Sequence, residues 1–150
     1  MSTTIESDNI IRWEDTIEFK FPVYSGKVIK VYDGDTITIA SKMPYENSPL
    51  YRFHVRLNGI DSPEIKGKNP DEKNVAKLAK EFVSSLVLNK IVTLENIQND
   101  KYGRILADVY FDGKHINAML INERLAVKYD GGKKICPVSW TKFNLTGDMM

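Results

Sequence analysis

Hydrophobic and polar side chains alternate along several short stretches of the sequence. The cleanest stretch is Tyr51–Asn58, where Phe53, Val55 and Leu57 share one side and polar residues occupy the other. A period of two is typical of a strand with one buried face. Ile17–Phe21 alternates in the same way until a proline interrupts it, and it is a further candidate strand.

Two strands flank the turn-forming pair Asp33-Gly34, and two more lie in the second half of the chain. Lys27–Tyr32 and Thr36–Ala40, the latter rich in β-branched residues, predict a hairpin. Ile91–Ile97 and Arg104–Phe111 predict two later strands, joined by a polar loop.

The period of hydrophobic residues changes to that of a helix between these two groups of strands. A helix is predicted to begin near Asp71, which follows a proline and is a good cap residue. Its apolar stripe has helical spacing and consists of Val75, Leu78, Ala79, Phe82, Val83 and Leu86. A short helix is predicted at His115–Glu123, and no helix is expected in the last fifteen residues.

The order of elements favours a small, curved, mostly antiparallel sheet over a doubly wound parallel one. We therefore predict an α+β protein whose core is a five-stranded barrel of the oligonucleotide-binding (OB) type with packed helices. The predicted organisation is a polar N-terminal extension (1–15), one barrel domain (16–135) and a C-terminal tail (136–150). Ile10, Ile11 and Trp13 in the extension are expected to pack on the domain.

Composition narrows the function classes only slightly. The chain is 42% hydrophobic and has a formal net charge of +1, which suits one globular core. No apolar stretch approaches the roughly 18–20 residues that cross a bilayer. Cys136 is the only cysteine, and the N-terminus has no secretory signal pattern, so an intracellular, cytoplasmic location is expected. Residues 1–18 are acidic, which leaves the rest mildly basic and open to a polyanionic partner.

Three charged segments are candidates for chemistry, although each has an ordinary structural explanation. Asp33-Gly34-Asp35-Thr36 is also a common hairpin turn. The segment from Arg56 to Glu64 is also compatible with a surface ion pair beside a turn. Asp100-Lys101-Tyr102-Gly103-Arg104 also reads as a polar loop between strands.

Taken together, these segments supply what phosphodiester cleavage requires. Arg56 and Arg104 offer guanidinium groups, which fork onto phosphate and stay charged at any working pH. Asp35 and Asp61 offer oxygen ligands for a hard cation. Glu64 is a free carboxylate that can accept a proton from an attacking water, or orient it.

These residues resemble the staphylococcal nuclease (thermonuclease) family in order and spacing, from about residue 26 to residue 129. The three charged segments above carry the resemblance, and a weaker agreement follows at Asp112-Gly113-Lys114 with Ile116-Asn117. The resemblance implies a Ca²⁺-dependent endonuclease on an OB barrel, with Mg²⁺ less favoured. It also implies action on DNA and RNA with 3′-phosphate ends left behind.

The resemblance also implies roles for individual residues. Arg56, Glu64 and Arg104 would be catalytic, Asp35, Asp61 and the backbone carbonyl of Ser62 would bind the metal, and Asp33 would support them. Lys101, Tyr102 and Tyr129 would contact the nucleic acid, although Tyr129 lies one position from the family's tyrosine. The family often has threonine at the position of Ser62, and its C-terminal helix is not evident here.

The expected substrates are DNA and RNA, with single-stranded or frayed strands preferred. The protein is expected to be a monomer and to have no membrane partner. Sequence specificity should be weak, because the site addresses phosphate and not base edges. Lysines near the site or in the tail would help to attract a polyanion: Lys66, Lys68, Lys128, Lys133 and Lys134. Two alternatives are a catalytically silent module of this fold that binds nucleic acid or protein, and a structural or small-ligand barrel. The intact charged set favours the nuclease.

Overall fold

The structure is a computed structural model that describes residues 9–150. The first eight residues of the predicted N-terminal extension lie outside the described residues. Within 9–150 the strands are β1 (Ser25–Asp33), β2 (Thr36–Lys42), β3 (Leu50–Leu57), β4 (Ile60–Asp61), β5 (Ile91–Asn99), β6 (Ile105–Phe111), β7 (Lys114–His115) and β8 (Val127–Lys128). The helices are α1 (Pro70–Val87), α2 (Ile116–Asn122), α3 (Trp140–Thr146) and a short 3₁₀ turn at Trp13–Asp15.

Five strands close into the predicted barrel. β1 pairs with β2 and with β5, β2 pairs with β3, and β5 pairs with β6, all antiparallel. A parallel pairing of β3 with β6 closes the ring. The short β7 extends β6, and β4 pairs with β8 in a separate small sheet. The architecture is therefore the α+β OB barrel expected from the sequence.

The barrel interior is filled by the alternating apolar residues of the strands. Val55 and Leu57 of β3 are fully buried, and Phe53 is partly buried, as the period of two predicts. Ile37 and Ile39 of β2 are buried beside them. Burying such aliphatic side chains contributes roughly 1.5–3 kcal/mol each, so this interior is the main source of the fold's stability.

Helix α1 covers one side of the barrel, but its beginning differs from the prediction. Asn69, not Asp71, is the cap: its side chain accepts a hydrogen bond of 2.8 Å from the Glu72 amide, and Pro70 takes the first helical position. The apolar stripe is narrower than predicted, because Leu78 is half exposed. Val83 is one of the residues that point into the core.

The expectation that residues 136–150 lack a helix is wrong. Helix α3 begins after Ser139, whose side chain accepts a hydrogen bond from the Lys142 amide, and ends at Gly147 with a left-handed φ of 82°. Trp140 is buried, and α3 packs against α1. Asp71 accepts hydrogen bonds from the Trp140 amide (2.7 Å) and the Ser139 hydroxyl (2.9 Å), so it caps α3 instead of α1.

The N-terminal predictions are also wrong. Residues 16–24 contain no strand, Ile17 is 95% exposed, and Trp13 is 88% exposed instead of packing on the domain. Ile10 and Ile11 are exposed as well. β1 already pairs on both sides, so the closed ring leaves it no free edge for another strand. Phe21 is the exception, since its ring packs edge-on to Phe53.

None of the helices within residues 9–150 combines the length and the apolar character needed to cross a membrane.

Candidate active site

The turn between β1 and β2 supplies two buried carboxylates at one end of the barrel. Asp35 Oδ2 accepts a hydrogen bond of 2.9 Å from the Ser62 amide, and its Oδ1 accepts one of 2.9 Å from the Thr36 hydroxyl. Gly34 is required here, because a Cβ on it would lie 2.8 Å from the Ala79 side chain of α1. The turn is therefore packed between helix α1 and the loop that contains Ser62, and it is not an exposed surface hairpin.

The second carboxylate of this turn, Asp33, holds the loop that carries Glu64. Its Oδ1 accepts a hydrogen bond of 3.0 Å from the Ile65 amide. Burial raises the pKa of the Asp33 carboxyl above its ordinary value, the hydrogen bond from Ile65 opposes this, and the nearby Asp35 and Glu64 carboxylates add to the rise. Asp33 thus helps to hold the loop that carries Glu64 in place.

Arg56 lies between the two candidate metal ligands. Its Nη1 donates to the carbonyl oxygens of Leu57 (2.7 Å) and Ile60 (2.8 Å). Its Nη2 is 3.4 Å from both Asp35 Oδ2 and Asp61 Oδ1, and the side chain is only 11% exposed. The two carboxylate oxygens are therefore no farther apart than the sum of these two distances.

Asp61 and Glu64 both lie near the ammonium group of Lys134, a contact that the sequence analysis does not predict. Lys134 Nζ is 3.2 Å from Asp61 Oδ1 and 4.0 Å from Glu64 Oε1. Partial burial lowers the pKa of the Lys134 ammonium group, but Asp61 and then Glu64 raise it, and the net pKa is above its ordinary value. No local pattern signals this contact, because its partners are 73 and 70 positions apart in the chain.

Cys136 also reaches this part of the site. Its Sγ lies 3.8 Å from Asp61 Oδ2. Burial raises the pKa of the thiol, and the Asp61 carboxylate raises it further. In the sequence analysis Cys136 bears only on the location of the protein. The structure places its thiol against the buried Asp61 carboxylate.

The loop between β5 and β6 presents the second arginine. Asp100 Oδ1 accepts hydrogen bonds of 2.8 Å from the Tyr102 and Arg104 amides, and its Oδ2 is 2.5 Å from Arg104 Nε. Burial raises the pKa of Asp100, but the hydrogen bonds from Arg104 and Tyr102 outweigh it, so the pKa is lowered. Arg104 Cζ stands 5.5 Å from the centre of the Tyr102 ring, which is itself exposed. Gly103, with φ of 83°, makes the tight loop possible.

One pocket of about 350 Å³ is lined by charged residues from each of the three predicted segments. Its lining includes Asp33, Asp35, Arg56, Asp61, Glu64, Tyr102 and Arg104. A second pocket of about 400 Å³ adjoins it and shares Arg56, Tyr102, Arg104 and Lys134. Lys101 and Tyr129 line this second pocket and not the first. Ser62 lines neither, although its amide binds Asp35.

The oxygen donors suit a hard divalent cation such as Ca²⁺ or Mg²⁺. Asp35 and Asp61 are both at most 6% exposed, and the buried Ser62 Oγ has no hydrogen-bond partner in the part of the chain that the structure describes. Among residues 9–150 no group of three or more His, Cys, Asp and Glu side chains has metal-binding geometry, so carbonyl oxygens and water would complete the shell. The donor set fits the cation, with Lys134 on one of its carboxylates.

Comparison with known proteins agrees with this barrel fold. The family model of the staphylococcal nuclease homologues matches residues 54–137. An uncharacterised endonuclease of Escherichia coli is 32% identical over 117 residues, which are 75% of this chain and 68% of that protein. A thermonuclease of Staphylococcus hyicus is 34% identical over 102 residues, 67% of this chain and 56% of that protein. A probable endonuclease of Schizosaccharomyces pombe is 30% identical over 141 residues, covering 79% and 61% of the two chains.

The fold and these relatives therefore define an OB barrel of the nuclease type. The chain belongs to the staphylococcal nuclease family. Membership of this family, together with relatives named endonuclease and thermonuclease, supports a nuclease activity in general terms.

Proposed function

We propose that this protein is a Ca²⁺-dependent endonuclease that hydrolyses phosphodiester bonds of DNA and RNA with little sequence specificity. The single observation that carries the proposal is the shared pocket of Arg56 and Arg104, which also contains Asp35, Asp61 and Glu64. Two guanidinium groups, two carboxylates suited to a cation and a free carboxylate are the parts that phosphodiester hydrolysis needs.

Each residue has a distinct task in this proposal. Arg56 and Arg104 stabilise the negative charge that builds up on the equatorial phosphate oxygens as water attacks phosphorus. Glu64, which is 58% exposed and so open to solvent, accepts a proton from that water or orients it. The P–O5′ bond breaks as the P–O bond to water forms, which leaves a 3′-phosphate and a 5′-hydroxyl. The family resemblance supports this choice of bond.

Asp35 and Asp61, with the carbonyl of Ser62, would hold the cation. Bound Ca²⁺ would add positive charge beside the phosphate and fix its position. We favour Ca²⁺ over Mg²⁺, because the resemblance to the staphylococcal nuclease family implies Ca²⁺. Ca²⁺ accepts flexible geometry, whereas Mg²⁺ demands a near-ideal octahedron.

Single-stranded or frayed nucleic acid is the proposed substrate. The exposed Tyr102 ring beside Arg104 provides a face on which an unpaired base can stack. Base–aromatic stacking tolerates any sequence, which agrees with a site built from phosphate-directed charges.

The proposal is tested with purified protein, heat-denatured DNA and RNA, and three conditions: Ca²⁺, Mg²⁺ and chelator. We expect cleavage with Ca²⁺, much less with Mg²⁺, and none with chelator. Chemical analysis of the ends should find 3′-phosphate. Arg104→Ala, purified in parallel, should lose the activity, which excludes a contaminating nuclease.

Two other outcomes would count against the proposal. Binding of nucleic acid without cleavage under every condition would favour the silent binding module. Cleavage that persists in chelator would contradict the role of the cation.

A further inference from the structure

A cavity among the described residues lies outside the catalytic pocket. It has a volume of about 750 Å³ and is bordered by β4, α2, β8 and the loop that follows β8. Asn58, Gly59, Ile60, Tyr129 and Asp130 line both this cavity and the 400 Å³ pocket beside the site. That pocket in turn shares residues with the catalytic pocket, so the three pockets are neighbours on the surface of the protein. We call the 750 Å³ cavity the α2 pocket.

The walls of the α2 pocket combine apolar surface with two cations. Ile121 and Ile135 provide apolar surface, and the Ile135 side chain is 70% exposed. Lys128 and Lys133 are both exposed and form no salt bridge within residues 9–150. Apolar surface beside available cations suits a ligand that carries both flat bases and phosphates.

The acids of the α2 pocket are already engaged. Asp108 accepts a hydrogen bond of 2.7 Å from Asn96 and lies 3.5 Å from His115 Nε2. Asp130 accepts a hydrogen bond of 2.9 Å from the Gly132 amide. These hydrogen bonds orient the two carboxylates toward protein donors but leave their charge in place, so Lys128 and Lys133 are the groups of this pocket that are free to contact an anionic ligand.

Three contacts hold the walls in place. The His115 ring stacks on Tyr110, with ring centres 4.7 Å apart and planes inclined by 11°. The Tyr129 amide donates to the Gly59 carbonyl (2.9 Å), and the Tyr129 hydroxyl donates to the Gly132 carbonyl (3.1 Å). The cavity is thus formed by anchored side chains, and it falls within the usual 300–1,000 Å³ of ligand pockets.

We propose that the α2 pocket is a subsite for the substrate strand, holding nucleotides beyond those next to the scissile phosphate. A single-stranded DNA or RNA would run from the catalytic pocket past Tyr129, with its phosphates at Lys128 and Lys133. This inference rests on the proposed nuclease function, because the same strand occupies both places. It predicts that affinity depends on the length of the strand.

The test measures binding of labelled oligothymidylates of two, four and eight nucleotides by fluorescence anisotropy. Glu64→Gln serves as the background, so that bound strands stay intact. We expect the octanucleotide to bind about tenfold more tightly than the dinucleotide. In Lys128→Ala/Lys133→Ala most of that gain should disappear, and the slope of log affinity against log salt for the octanucleotide should fall by about 1.4, the value for two phosphate contacts on a single strand.

Lys73→Ala/Lys77→Ala is the matched control. It removes the same charge from exposed positions of α1 that border neither pocket. This control should keep the length dependence of the background protein. If the subsite exists, only the Lys128/Lys133 variant flattens that dependence.

Two failures are distinguishable. Equal affinity for all three lengths, or an undiminished gain in Lys128→Ala/Lys133→Ala, overturns the subsite, while cleavage of the same strands by the protein with Glu64 intact would leave the nuclease proposal standing. Absence of both binding and cleavage at every length would overturn the nuclease proposal itself, and the subsite with it.

Discussion

The two arginines of the candidate active site are held in very different ways. Arg56 is 11% exposed and contacts two backbone carbonyls and two buried carboxylates. Arg104 is 31% exposed and is held mainly by Asp100, on the loop that precedes it. One guanidinium is built into the barrel framework, whereas the other stands at the edge of the pocket.

Because of this difference, the two arginines should contribute differently to the stability of the fold, although both belong to the proposed reaction. Arg56 compensates the charges of Asp35 and Asp61, so the fold depends on it as well as the proposed reaction. Arg104 does not neutralise a buried carboxylate of another element, and the Tyr102 side chain beside it is exposed. Loss of Arg104 should therefore affect cleavage with little effect on folding.

The largest expected effect is common to both arginines. Arg56→Met and Arg104→Met should each cleave single-stranded DNA about a thousandfold more slowly, the usual cost of removing one donor to transition-state charge. Initial rates with saturating Ca²⁺ measure this. Near-normal activity in either variant would remove that arginine from the proposed site.

The next effect divides the two arginines. Arg56→Met should lower the free energy of unfolding by about 3 kcal/mol, because it leaves the buried Asp35 carboxylate without a cation and leaves Asp61 with Lys134 alone. Arg104→Met should lower it by less than about 1 kcal/mol, as expected for a more exposed pair. Urea denaturation at pH 7 measures both, and equal losses would show that the two environments do not differ as described.

A contact remote from the pocket sharpens the distinction between stability and activity. Asp71→Ala should lower the free energy of unfolding by about 1–2 kcal/mol, since it removes the hydrogen bonds that cap α3. Cleavage by this variant should stay close to that of the unaltered protein. An activity loss comparable with that of Arg104→Met would contradict this separation.

The Asp71 effect should also depend on pH in a defined direction. Hydrogen bonding to Thr141, and then to Ser139 and Trp140, lowers the pKa of Asp71 below its ordinary value of 3.8. A carboxylate with a lowered pKa in the folded state adds stability above pH 3.8, and this stability is lost as the pH falls through the folded pKa. The difference between Asp71→Ala and the unaltered protein should therefore be full at pH 7 and shrink at pH 3. A constant difference would rule out the charge as its cause.

The smallest expected effect is a change in Ca²⁺ affinity, and it concerns Lys134, whose ammonium group pairs with the Asp61 carboxylate. Lys134→Met should bind Ca²⁺ about fivefold more tightly, because the ion no longer competes with an ammonium group 3.2 Å from Asp61 Oδ1. Lys68→Met is the control, since it removes a lysine charge from the loop after Glu64 without touching Asp61. Titration calorimetry with Ca²⁺ compares the two, and identical affinities would contradict the competition.

Local patterns predicted the parts of the fold that local forces determine. The alternation in β3 and the Asp33-Gly34 turn are visible in the sequence, because each depends on neighbouring residues. The charged motifs identified the residues that the catalytic pocket brings together, although their roles in the reaction stay predictions.

Other features depend on contacts that are distant in the sequence. Helix α3 has local cap residues at Ser139 and Gly147, but it is only seven residues long, and it depends in addition on Asp71, 68 positions before Ser139. The partner of Asp61 is likewise far away, at Lys134. The alternating N-terminal stretch forms no strand, and β1, the strand that follows it in the chain, already pairs with β2 and with β5. The predicted monomer and its predicted location stay predictions.

The most direct test of the central claim compares the unaltered protein with Glu64→Gln in single-turnover cleavage of one labelled oligonucleotide with Ca²⁺. If Glu64 acts on the attacking water, cleavage should slow by at least about a hundredfold, while the affinity for the oligonucleotide changes by less than about threefold. Equal cleavage rates would show that the carboxylate beside Arg56 and Arg104 does not take part in the reaction, and the proposed site would be contradicted.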